Sequence, residues 1–394
     1  MQARFLQGLG PVPPVLGLAV SGGGDSVALL MLAVGAGIDC RVATIDHGLR
    51  EESAREAADV ADLCATHGIP HQTLHWTWDG AGNLSDAARR ARRRLIAEWA
   101  VGQGVGHVAL GHTRDDVAET FLMRLTRGAG LDGLSAMSAS WFEHGVNWHR
   151  PLLDVGREEL RVYLRDRGAR WAEDPTNTDP AYDRARARAA LGHLPLGLTA
   201  ERLADVAGHL AEARRALDAA TLTAARLHLR IDHGDVLIDP DGLDPEMSRR
   251  LVLRAVAWIG GNPYPPRGAS VARALDALQQ GRPAAVQGCG MVAQSGLFRI
   301  YREWAAVRGL TGPVDRRWDR WRLSGPAGAD LHVAALGAAG LLHCPNWRGT
   351  GLPRRSLLAS PAVWRGEMLV SAPLAGLSNG WTAVTDRPSS VLSD

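Results

Sequence analysis

The strongest constraint on this chain is a stretch of six residues, Ser21-Gly22-Gly23-Gly24-Asp25-Ser26. It lies between an apolar run, Val15-Leu16-Gly17-Leu18-Ala19-Val20, and a helix-forming run, Val27-Ala28-Leu29-Leu30-Met31-Leu32. A short, wholly apolar run suits a strand buried on both faces of a parallel sheet. Asp25 or Ser26 can cap the helix that follows. Three glycines permit a tight turn and bring backbone N–H groups close to a ligand. A helix N-terminus adds partial positive charge, so strand, glycine loop and helix together favour a bound anion. Asp25 would repel bound phosphates unless a divalent cation lay between, and this predicts Mg²⁺. The spacing is neither G-x-G-x-x-G nor the lysine-containing phosphate loop. The chain contains no lysine at all, which excludes a Walker lysine and a Schiff-base lysine alike.

A length of 394 residues predicts two or three domains. An apolar content of 46% with 22% charged residues describes a globular chain with ample core. The net charge is only +2, so any contact with nucleic acid must come from local arginine clusters. The four cysteines, Cys40, Cys64, Cys289 and Cys344, are far apart and form no C-x-x-C. That spacing argues against zinc, an iron–sulfur cluster or a redox pair and for buried thiols in a reducing compartment. With neither a charged leader ahead of an apolar core nor a membrane-length apolar run, the expected location is the cytoplasm.

Further along, Cys40 to Ile45 reads as a second strand, ending in Asp46-His47-Gly48-Leu49-Arg50-Glu51-Glu52-Ser53. Polar residues at the carboxyl end of a parallel strand lie where α/β sheets bind ligands. Glu52 to His67 has helical composition, and His71 to Trp76 can form a third strand. Ser85 opens another helix, in which Ala88, Ala91, Leu95 and Trp99 form an apolar stripe. Arg92 falls on that stripe, whereas Arg89, Arg90, Arg93 and Arg94 fall outside it. An inward arginine is costly unless it meets an anion, so Arg92 is assigned to a site and its neighbours to a solvated face. The next strand, Gly106 to Gly111, delivers His112-Thr113-Arg114-Asp115-Asp116-Val117-Ala118-Glu119-Thr120. A helix starting near Thr113 would place His112, Asp115, Asp116 and Glu119 on one face. Such a set suits metal binding and proton transfer.

The loop Ser21–Ser26 resembles the S-G-G-x-D-S loop of the N-type ATP pyrophosphatases, the PP-loop family. Within that family the later stretches resemble the tRNA(Ile)-lysidine synthetase branch. They are His47-Gly48-Leu49-Arg50, the arginine motif around Arg92, and His112 to Thr120. Further stretches are Arg124 with Arg127 to Leu134, Arg150-Pro151-Leu152-Leu153, Trp171 to Asn177, and Tyr182 with Arg184 to Arg188. Three positions depart from the pattern: Arg93 replaces a usual tyrosine, Val117 a glutamine and Ala185 an asparagine. The resemblance covers roughly residues 15–190.

The resemblance implies an α/β, doubly wound parallel sheet over residues 1–195. A helical substrate-binding domain over 196–310 and a small mixed α+β domain over 311–394 would follow. It implies ATP-dependent ligation of free L-lysine to C2 of the wobble cytidine in tRNA(Ile) with a CAU anticodon, through an adenylated tRNA. ATP and Mg²⁺ are the cofactors, and a homodimer is carried as an expectation of assembly. Ser21, Gly22, Gly23, Gly24, Asp25 and Ser26 are expected to hold ATP, with Asp25, Arg92, His112 and Asp116 catalytic. Asp116 and Glu119 are expected to hold lysine, and Asp25, Asp115 and Asp116 a metal. Arg184, Arg186 and Arg188 suit either a solvated charge run or, beside the expected site, RNA phosphate contacts, and the second reading is preferred. The tryptophans and arginines from Arg316 to Arg322 suit either an RNA-stacking surface or an aromatic core. Two alternatives are a PP-loop tRNA thiolase, which usually carries paired cysteines, and a non-catalytic RNA-binding protein.

Overall fold

The computed structural model describes residues 1–48, 51–78, 80, 84–173, 179–262 and 264–387, apart from the side chains of Glu51, Glu52 and Ser85. Leu49, Arg50 and residues 174–177, all in motif stretches, lie outside the described residues, as does the side chain of Ser85, which opens an expected helix. The chain divides into two compact units, residues 1–215 and 216–394.

In the first unit the elements run α1 (Gln2–Leu9), β1 (Leu16–Ala19), α2 (Gly24–Gly35), β2 (Cys40–Asp46), α3 (Glu51–Thr66), β3 (His71–His75), α4 (Leu84–Gly102) and β4 (His107–Leu110). They continue as α5 (Arg114–Leu125), α6 (Leu131–Leu134), β5 (Ser140–Glu143), β6 (Val146–His149), α7 (Arg157–Arg165), α8 (Asp183–Leu191) and α9 (Ala200–His228). The sheet order is β3-β2-β1-β4-β6-β5. All neighbours are parallel except β5, which pairs antiparallel with β6. Leu16, Leu18 and Val42 point to one core shared with Phe5 of α1, Leu29 and Leu30 of α2, Val60 of α3 and Leu160 of α7. Ala43 points the other way, with Val108, Val146 and Trp148, onto Ile96, Ala97, Trp99 and Ala100 of α4. Helices therefore cover both faces, as the doubly wound reading requires. Strand order reverses at β1/β4, which opens a crevice at the strands' carboxyl ends.

Two glycines make that crevice possible. Gly22 has φ +87°, a conformation that side chains rarely adopt. A Cβ on Gly111 would lie 2.9 Å from the Asp25 carbonyl oxygen, so only glycine lets the end of β4 approach the loop this closely.

Helix α9 matches the expected long helix, and the boundary between the two units falls within it. The second unit differs from the helical expectation for residues 196–310. Besides α10 (Pro245–Gly260) and α11 (Gly268–Gln279), it contains a five-stranded antiparallel sheet. The strands are β7 (Leu229–Asp232), β8 (Asp235–Ile238), β9 (Ala284–Val286), β10 (Cys289–Gln294) and β11 (Leu297–Arg302), in the order β7-β8-β11-β10-β9. These strands are short and carry no long apolar run. The legible signal lay in the turns: His233-Gly234 and Ser295-Gly296 each have positive φ at both residues and join strands two residues apart. That is the geometry of the tight hairpin turn. His144-Gly145 does the same between β5 and β6.

The open choice for residues 316–322 resolves toward a core. Trp318 and Trp321 are 3% and 2% exposed and pack with Leu323, Val333 and Trp381. Arg320 is buried as well and pairs with Asp319 at 2.7 Å. The two indoles are thus not a platform for bases. No helix among the described residues is long and apolar enough to cross a membrane.

Candidate active site

A cleft of about 420 Å³ lies at the carboxyl ends of β1, β2 and β4. Ser21, Gly23, Gly24, Asp25 and Ser26 line one side, and Arg92, His112 and Asp116 line it too. Gly22 shapes the turn without lining the cleft, and Asp115 and Glu119 lie behind its wall. The loop is tied to itself. Ser26 Oγ donates to the Gly23 carbonyl at 2.8 Å and accepts from Ser21 N at 3.1 Å. Ala172 N donates to the Gly22 carbonyl at 2.9 Å. These bonds leave the first turn of α2 open toward the cleft.

Helix α5 begins at Arg114, so His112 lies before it and not on its face. Asp116 folds back to accept from Thr113 N at 2.7 Å and from Thr113 Oγ1 at 3.1 Å. Asp115 accepts instead from Arg157 N at 2.7 Å, at the start of α7. The expectation of one shared face is therefore corrected for His112, which precedes the helix, whereas Asp115, Asp116 and Glu119 all turn toward Arg157 of α7.

Arg157 is the residue that sequence reasoning missed. Its side chain donates to Glu119 at 2.9 Å, to Asp25 at 3.2 Å and to Asp116 at 3.3 Å. Arg184 adds bonds to Glu119 at 3.0 Å and Asp116 at 3.1 Å, and Arg188 one to Glu119 at 2.8 Å. Arg184 and Arg188 thus turn from α8 onto these carboxylates at the cleft wall and are not a solvated charge run. Arg186, between them, turns outward to Asp183 and the Pro180 carbonyl. The i, i+4 spacing was the available signal. Glu119 is 0% exposed, with its oxygens shared among three arginines. A lysine ammonium would have to displace one of them to reach it. Asp116 keeps its place on the cleft wall.

Electrostatics separate these groups. Burial raises the pKa of Asp25, Arg157 opposes that rise, and Asp116 and Asp115 add to it. Burial would also raise Asp116, but Arg184, His112, Arg157 and the Thr113 N–H outweigh it and hold this carboxylate below its usual range. His112 is pushed down to about 3, by burial first, with Arg150, Arg184 and Arg92 adding and Asp116 opposing. The ring is neutral at physiological pH. Arg92 is open to water, yet it sits on a concave wall surrounded by protein. This partial desolvation, then Arg89, Arg184 and Arg93, lowers its pKa. Its neighbours are engaged elsewhere: Arg93 with Glu143 at 3.1 Å, Arg94 with Glu98 at 3.1 Å, and Arg90 with Asp86.

Residues 4–194 match the family model described as a PP-loop domain. The tRNA(Ile)-lysidine synthase of Ruegeria pomeroyi is 54% identical over 94% of this chain and 91% of its own length. The chain belongs to the tRNA(Ile)-lysidine synthase family. Proteins of the same name from Zymomonas mobilis (38% identical, 74% of this chain, 89% of theirs) and Bradyrhizobium diazoefficiens (41%, 72% and 83%) also align. Among solved structures, the U34-tRNA thiolase NcsA from Methanococcus maripaludis aligns at 16% identity, over 55% of this chain and 76% of its own. Its TM-score is 0.45, a likeness too slight to bear on function.

The departures from the lysidine synthase pattern have structural reasons. Val117 is 4% exposed and packs with Phe121, Leu203 and Ala207, where an amide would be buried. Ala185 is buried on the inner side of α8. Arg93 replaces a tyrosine ring with an ion pair to β5.

Because Glu119 anchors three arginines, Glu119→Gln is expected to lower stability by about 2–3 kcal/mol, the worth of a hydrogen bond to a charged group in a buried setting. Urea unfolding checks this. Unchanged stability with a raised lysine requirement would instead place Glu119 in the lysine pocket.

Proposed function

We propose that this chain ligates lysine to C2 of the wobble cytidine of tRNA(Ile) bearing a CAU anticodon, at the expense of ATP, in the cytoplasm. In the first step the C2 carbonyl oxygen attacks the α-phosphate of ATP. An O–P bond forms as the bond to pyrophosphate breaks. In the second, the ε-amine of free lysine attacks C2, the C–O bond breaks, AMP leaves, and the amine gives up a proton.

The observation that carries this reading is the convergence of the Ser21–Ser26 loop, Arg92, His112 and Asp116 in one cleft, in a chain so similar to named lysidine synthases. The loop's N–H groups and the start of α2 would receive the phosphates. Arg92 would meet charge developing on the α-phosphate. His112 is neutral at the reaction centre. Asp116, held ionised, is the carboxylate best placed for lysine, and Glu119 positions the arginines behind it.

Mg²⁺ fits one of the three acidic residues expected to hold it. Asp25 is a partly desolvated carboxylate with raised proton affinity, a state that a divalent cation would relieve. Asp25 gives only one oxygen to Arg157, whereas Asp116 is held by Thr113, Arg157 and Arg184, and Asp115, held by Arg157 N, does not line the cleft. Among the described residues no group of three or more His, Cys, Asp or Glu is placed to hold a metal. The chemistry suits an Mg²⁺ carried on the phosphates and touched by Asp25. When bound, the ion would neutralise charge on the departing pyrophosphate.

The thiolase alternative has no thiol to use. All four cysteines are free and buried, and burial pushes Cys40 to about 12 and Cys64 and Cys289 to about 11, far from a reactive thiolate. Incubation with labelled ATP, tRNA(Ile) and lysine tests the assignment. AMP release that requires both tRNA and lysine is expected. Release that requires persulfide would support a thiolase, and tRNA binding without turnover a binding protein.

A further inference from the structure

We propose that Arg150 is a positioning residue that fixes His112 as the tautomer protonated on Nε2, so that the ring meets the substrate as a hydrogen-bond donor. What the donor meets rests on the reaction proposed above; the tautomer does not.

Arg150 Nε donates to His112 Nδ1 at 3.2 Å. A guanidinium has only donors and keeps its protons at any physiological pH. His112 Nδ1 must therefore be the acceptor, and the proton of the neutral ring must sit on Nε2. Arg150 covers one ring nitrogen of a residue that lines the cleft, and among the described residues no bond occupies the other, which is left for the substrate. Taking up a second proton would create an imidazolium beside Arg150, Arg184 and Arg92 in a half-buried setting, with only Asp116 in compensation. The ring is thereby confined to donating. An oxygen gaining charge, on the α-phosphate or at C2, is the partner that such a donor stabilises.

The seat of Arg150 is built on the β5–β6 hairpin. Its Nη1 donates to the Ser138 carbonyl at 2.7 Å, and its N to the Ala139 carbonyl at 2.7 Å. Its guanidinium carbon lies 4.1 Å from the centroid of the Trp141 ring. Trp141 in turn donates to Glu143 at 3.0 Å and stacks on Trp148 with centroids 5.6 Å apart. Trp148 is fully buried and donates to the Glu143 carbonyl at 3.1 Å. The side chain is thus held on two sides, by the Ser138 carbonyl and by an indole that is itself fixed, and the backbone is pinned by Ala139. The antiparallel edge of an otherwise parallel sheet therefore serves the site by aiming a cation at the back of the histidine.

The test uses full-length protein labelled with ¹⁵N-histidine. Long-range ¹H–¹⁵N spectra report the tautomer, with His112 assigned by its loss in His112→Asn. Wild type should show bare Nδ1 and protonated Nε2. Arg150→Met, which keeps a stem over Trp141 and removes the donor, should show a mixture or the Nδ1–H form. Its kcat for AMP release should fall about tenfold to a hundredfold, with KM for ATP, tRNA and lysine within about twofold of wild type. Arg150→Lys, which keeps a donor, should recover the Nε2–H signature and most of kcat. An unchanged Nε2–H signature in Arg150→Met overturns the proposal. So does a loss lying wholly in KM for tRNA, which would make Arg150 a phosphate contact. If Arg150→Met fails to fold, Trp141→Leu is read instead, because it loosens the seat and leaves the guanidinium; a sharp wild-type signature there overturns the proposal. The spectrum needs no turnover. A wild-type protein that makes no lysidine would sink the proposed reaction and leave the tautomer result intact.

Discussion

Asp25→Ala is expected to abolish tRNA-dependent pyrophosphate release, by about three decades or more, while tRNA binding persists. Asp25 sits in the first turn of α2, at the point where the loop meets the cleft. Its carboxylate has raised proton affinity because burial and two neighbouring acids outweigh Arg157. A phosphate-borne cation would lose its protein anchor in the variant, and the helix N-terminus alone would face the triphosphate. The fold should survive, because Arg157 keeps its bonds to Glu119 and Asp116. The raised pKa also means that the fold disfavours the ionised form of Asp25, so removing it withdraws no net stabilising charge. Pyrophosphate release and a tRNA gel shift are measured side by side. Wild-type release would remove the loop from the mechanism.

Arg92→Ala should cut turnover by about two to three decades, corresponding to loss of one charged group that meets the transition state. Arg94→Ala should leave turnover unchanged. The two residues are two positions apart on α4, yet their settings differ. Arg92 lines the cleft, and among the described residues no carboxylate pairs with it. Arg94 is exposed and bonds to Glu98 one turn on, an interaction worth tenths of a kcal/mol. Single-turnover adenylation of tRNA separates them, and a salt titration of tRNA affinity reveals any phosphate contact from Arg94. Equal behaviour would mean that position in the cleft is not what distinguishes these arginines.

Much of this arrangement follows from contiguous sequence. An apolar run, three glycines and a helix former specify a strand–loop–helix unit, because each acts over a few residues and each has one low-energy outcome there. The same holds for α4 and α9, whose periodicity spans many turns, and for β2 and β4, whose polar ends had to lie at one edge of the sheet. His112 and the loop could be named from this logic together with the family resemblance. Arg92 lines the cleft as the resemblance implies, but its side chain is open to water and not packed inward with the apolar stripe.

The carboxylates and arginines were different. Arg157 looks like an ordinary first-turn residue of α7. Only the packing of α7 beside α2 and α5 brings it to Asp25, 132 positions away in the chain, and to Asp116 and Glu119. Glu119 and Asp116 carry the same charge and lie three residues apart, but one is sealed behind three arginines and the other faces the cleft. Trp318 and Trp321 alternate with arginines in a pattern that suits RNA as well as it suits a core, and only the packing of Leu323, Val333 and Trp381 around them decided. Around the site, local sequence thus determined which elements form and which ends carry chemistry, although it did not reveal the sheet β7–β11. Tertiary structure alone decided how each charge is used, because a charge takes its role from the partners and the water that other parts of the chain leave around it.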